Sequence, residues 1–74
     1  MKPRFARKSA PTRDYHLSAY VSEVSFNSHK DEARFAAVVA GVRQKAADRR
    51  FNAAQMAELE NAIAVAMAGR ERAA

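Results

Sequence analysis

After Pro11 the chain has no further proline, and its only two glycines are Gly41 and Gly69. Turn-rich β folds draw on those two residue types to reverse direction. A 60-residue stretch almost free of them favours helices. The expected fold is all-α: a short three-helix bundle, or a helical hairpin preceded by a short helix. At 74 residues there is room for one small domain.

Periodicity locates the elements. In residues 14–26, Leu17, Tyr20, Val21 and Val24 fall within a ~100° arc at helical spacing. Ser18, Ser22 and Ser25 gather on another face, and Asp14 is placed to cap the start. The alternative is a strand at 20–26 followed by two helices, because valine, tyrosine and phenylalanine also suit strands. Period-two alternation fails at Ala19, Tyr20 and Val21, which favours the helix. In residues 28–50, Phe35, Val38, Val39, Val42 and Ala46 make one stripe, and Ser28 with Asp31 resembles a capping box. In residues 52–70, Met56, Leu59, Ile63 and Met67 make the stripe, with Ala66 beside it. Asn52 and Gln55 form a capping box there, Phe51 and Met56 a hydrophobic staple, and Gly69 is a candidate end. The links are short, which sets consecutive helices antiparallel.

Hydrophobic residues make up 49% of the chain, but eighteen of them are alanine. Such a core is small, and chains of this kind tend to need a partner or very regular helices. The alanines also define a second face. Ala33, Ala36, Ala37, Ala40 and Ala47 lie opposite the stripe of the second segment. Ala54, Ala57, Ala64, Val65 and Ala68 lie opposite that of the third. Alanine is the best helix former, and propensity alone accounts for such a face. Small side chains also admit a neighbouring helix, so a homodimer seam or a larger protein partner is expected there.

Charge is segregated. The net charge is +5, and residues 1–13 carry Lys2, Arg4, Arg7, Lys8 and Arg13 with no acid. From residue 14 onward, eight bases face eight acids. The expected organisation is a flexible basic arm at 1–13, with Pro3, Ser9 and Pro11, and a small helical domain at 14–74. Clustered cations on a flexible segment neutralise phosphates and release counterions. Phe5 is placed to stack on a base or to wedge into a groove. Arg43, Lys45, Arg49 and Arg50 would extend the same footprint, or simply complement a helix dipole.

Other classes are set aside on composition. There is no cysteine, hence no disulfide scaffold or thiolate site. No apolar run is long enough for a membrane span, and no apolar stretch follows the basic residues as in a secretory signal. An Arg-rich start is shared with organelle transit peptides, but this one is short and holds two prolines. No phosphate-binding glycine loop, metal-ligand spacing of His16 and His29, or paired carboxylates were found; Glu58 and Glu60 diverge on a helix. The reading is a non-enzymatic cytoplasmic binding protein without cofactor, metal or small-molecule substrate. Its arm would contact nucleic acid or nucleoprotein while the body self-associates or docks. The alternative is a protein-directed regulator, an adaptor or inhibitor of the mobile-element or accessory-subunit type.

Overall fold

Thr12 opens the first helix: its side chain accepts a hydrogen bond from the Tyr15 backbone N–H at 3.1 Å. The computed structural model describes residues 12–73. Helix α1 spans Arg13–Phe26, α2 Glu32–Asp48 and α3 Ala53–Ala73, and no strand occurs among the described residues. Residues 20–26 are therefore helical throughout. The cap is Thr12 rather than Asp14, which lies in the first turn and faces the positive end of the dipole. Arg13 thereby belongs to the helix.

The α1–α2 link runs over 27–31 and is locally satisfied. Asn27 donates both its backbone N–H and its Nδ2 to the Glu23 carbonyl, at 3.1 and 2.8 Å. Ser28 turns its hydroxyl back onto the Ser25 carbonyl at 2.8 Å, so it does not cap α2. That role falls to Asp31, whose Oδ1 accepts from the Arg34 N–H at 2.9 Å. At α3 the expected box is present: Gln55 N–H donates to Asn52 Oδ1 at 2.8 Å, and Asn52 N–H donates to Gln55 Oε1 at 2.9 Å.

Between α2 and α3 the chain reverses through Arg50, which has φ 58° without being glycine. Phe51 N–H reaches the Ala46 carbonyl at 3.1 Å and Arg50 N–H the Ala47 carbonyl at 3.0 Å. This is a Schellman cap, with buried Phe51 lying just beyond it. The left-handed conformation strains any residue bearing a Cβ. Arg50→Gly should therefore raise unfolding stability by about 0.5–1 kcal/mol, read as a shifted urea midpoint at constant slope. An unchanged or lower midpoint would contradict this account of the turn.

Leu17, Tyr20 and Val24 of α1, Phe35, Val39, Val42 and Ala46 of α2, and Leu59, Ile63 and Ala66 of α3 build the core with Phe51. Val21, Val38 and Met56 pack against it from the margin. Met67 departs from its expected place. It is 50% exposed, because α3 runs past Gly69 to Ala73 and its inward stripe continues through Ala66 toward Arg70.

Polar contacts give the helix directions. Gln55 Nε2 donates to Asp14 at one end, and Arg70 reaches the carbonyls of Ser28 and Lys30 at the other. Thus α1 and α3 run parallel. Arg13 at the start of α1 meets the Arg49 carbonyl at the end of α2, and the chain turns back within 49–52 into α3, so α2 is antiparallel to both. Helix α1 packs on both neighbours, whereas α2 and α3 approach each other less closely. An open groove of about 410 Å³ lies between them, floored by Phe35, Val39 and Ala40 and edged by Met67, Arg43 and Glu71.

Candidate nucleic-acid interface

Lys2, Arg4, Phe5, Arg7 and Lys8 lie outside the described residues. Arg13, the last of the N-terminal cations, is placed. Its Nε donates to the Arg49 carbonyl at 3.1 Å, fastening the start of α1 to the C-terminal cap of α2. Thr12 and Arg13 therefore lie at the end of the bundle that carries Arg49 and Arg50.

The four body cations expected as one patch are not equivalent. Arg43 is turned into a bidentate contact with Glu60, with Nε to Oε2 at 2.9 Å and Nη2 to Oε1 at 2.8 Å. It faces the α2–α3 groove, away from Arg49 and Arg50. A helix wheel of α2 alone could not reveal this, because Glu60 lies on another element. Lys45 sits 3.7 Å from Glu23 and 5.6 Å from the centre of the Tyr20 ring. Arg49 donates from Nε to the Tyr20 hydroxyl at 2.8 Å. Arg50 is exposed in the turn. The structure thus gathers Arg13, Arg49 and Arg50 at one end, with Lys45 on the flank, and diverts Arg43.

Aromatic rings continue this end in a way the sequence reading did not anticipate. Buried Phe51 stacks on Tyr20 with centroids 5.8 Å apart, and Tyr20 stacks on His16 at 6.0 Å. His16 then meets Tyr15 edge to face at 5.4 Å, and Tyr15 is 62% exposed. A column of rings runs from the core to the surface beside the arginines. The signal was present as two aromatic residues, Tyr15 and His16, one position beyond a basic segment, but what they pack against depends on where α2 ends.

Partial desolvation and, secondarily, the Arg49 guanidinium disfavour the imidazolium and hold His16 below its usual pKa of 6.5. Hydrogen bonds from Arg43 hold Glu60 below the ordinary carboxylate value. Both shifts act in one direction. The unfolded chain binds the proton more readily, so these contributions are complete at neutral pH and lost on acidification. For His16 the loss begins as pH falls below about 6.5; for Glu60 it comes in the acid range. The melting temperature should fall from pH 7.5 to 5.5, and His16→Asn should flatten that decline. An equally steep decline in the variant would rule out His16 as its source.

The expected partner faces are solvent-facing: Ala33, Ala36, Ala37, Ala40, Ala47, Ala54, Ala57, Ala64, Val65 and Ala68 are all exposed. They do not converge on one surface. Ala36 and Ala40 border the α2–α3 groove, and Val65 lines a second groove between α1 and α3. The others lie on the outward sides of α2 and α3.

Among the described residues, no three histidine or acidic side chains come together to hold a metal ion. No described helix is long and apolar enough to cross a membrane. Comparison with known proteins finds no matching family model, no similar curated protein and no similar solved structure.

Proposed function

We propose that this protein is a small non-enzymatic binding protein that contacts nucleic acid or nucleoprotein through its basic N-terminal segment. Arg13, Arg49 and Arg50 extend that footprint, and the helical body provides the mount. The observation that supports the reading is the Arg13–Arg49 hydrogen bond, which sets the start of α1 beside the body's exposed arginines. Phosphate neutralisation by about five cations predicts a steep salt dependence. Affinity for a 15-nucleotide probe should fall on the order of 10²–10³-fold between 50 and 200 mM salt. Deleting residues 2–8 should remove most of that slope. Salt-independent binding, or a slope unchanged by the deletion, would refute it.

A second reading is supported by exposed apolar side chains on the body: Phe26 at 69%, Val65 at 62% and Met67 at 50% exposure. Under it the chain is a protein-directed adaptor or inhibitor, docking through its exposed helical faces on a larger complex or on a second copy. Nuclease treatment separates the two. A protein complex that survives it favours the adaptor; loss of all bound material favours the nucleic-acid reading.

A further inference from the structure

We infer that Tyr15 and His16 form a stacking platform for unpaired bases, so that the preferred ligand is single-stranded nucleic acid. The inference rests on the nucleic-acid reading above and sharpens it. Electrostatic contact with phosphates does not distinguish a duplex from a single strand. Exposed aromatic faces do, because only an unpaired base offers a free ring to stack upon.

Tyr15 is exposed although it lies next to a core that buries Leu17 and Tyr20. It also has lateral support. His16 holds it edge to face, and His16 is itself stacked on Tyr20, whose hydroxyl is fixed by Arg49. A ring braced in this way loses less freedom on binding a base than one on a mobile stem. The cations lie where a strand would need them. Arg13 and Arg49 are joined by a hydrogen bond on one side of the platform, and Arg50 projects from the adjoining turn. Arg49 donates to the hydroxyl of Tyr20, so a guanidinium group adjoins the inner rings of the column. At the opposite end of α1, Phe26 is exposed between His29 and Lys30, but among the described residues no stacked ring lies behind it, and Arg13 stands at the other end of the helix. It therefore serves as an internal control.

The test is fluorescence anisotropy of the full chain with labelled 15-mers of deoxythymidine and uridine and with a 15-base-pair duplex, at one salt concentration. Tyr15→Ala should weaken single-strand binding about ten-fold and change duplex binding less than two-fold. Tyr15→Phe should keep full affinity, because it keeps the ring, and Phe26→Ala should be silent. Circular dichroism confirms that each variant is folded; Tyr15 is outside the core. Equal weakening on single strand and duplex overturns the platform, as does a silent Tyr15→Ala or a loss in Tyr15→Phe equal to that in Tyr15→Ala. In those cases salt-dependent binding persists and the broader reading stands. If no probe binds at all, both fall together.

Discussion

Replacing Leu59 by alanine is expected to remove roughly 3–4 kcal/mol of stability, the largest loss expected of any single substitution in this core. Leu59 is fully buried at the middle of α3, in the same core as Val24 of α1 and Val42 of α2, which are also fully buried. Truncation there loses the transfer energy of the removed atoms and leaves a cavity that three helices border. A body of this size holds on the order of 3–9 kcal/mol in total, so the loss is a large share of it. Alanine is itself a better helix former, but by only a few tenths of a kcal/mol. Urea unfolding followed by helical circular dichroism measures the change. A loss under about 1 kcal/mol would mean that this core collapses around the gap and is not close-packed.

Arg70→Ala is expected to cost about 2–3 kcal/mol, although Arg70 sits near the end of α3. One guanidinium nitrogen, Nη1, donates to the Ser28 carbonyl at 2.8 Å and to the Lys30 carbonyl at 2.6 Å. The guanidinium carbon also lies 4.8 Å from the centre of the Phe35 ring. Charged donors to carbonyls contribute about 1.5–3 kcal/mol, and the cation over the ring adds about 0.5–1. Partial solvent access reduces the sum. Without Arg70, two carbonyls of the α1–α2 link lose their partner and the last turns of α3 lose their anchor. Arg70→Met keeps the apolar stem and drops the donors, and it should recover little. Amide exchange should accelerate across 27–31 and beyond residue 66 in both variants. A full recovery by methionine would show that packing, rather than hydrogen bonding, holds this end.

These two residues mark what a single sequence can and cannot disclose here. The three helices, their inward stripes and the Asn52–Gln55 box were legible because each depends on residues three or four apart. The start of α2 was not. Ser28 and Asp31 are both good capping residues, and what decides between them is that the 27–30 segment completes the end of α1 first. Arg70, forty residues away, then fixes two of that segment's carbonyls. Met67 fitted the period but not the bundle, because the inward stripe of α3 runs through Ala66 instead. The partners of the basic cluster were not legible either. Arg43 finds its acid on α3, while Arg49 finds a tyrosine hydroxyl on α1. Charge read along one helix cannot anticipate pairings across helices.

The parallel course of α1 and α3 has a consequence for how the molecule can be joined to anything else. With three helices rather than two or four, the described chain enters at one pole, at Thr12, and leaves at the other, at Ala73. The axis between them is about as long as α3, roughly 30 Å for its 21 residues. A label or a fused domain added after the last helix would therefore sit a full helix length from the arginines and rings around Tyr15. The bundle acts as a strut, separating whatever is held at its head from whatever is attached at its foot.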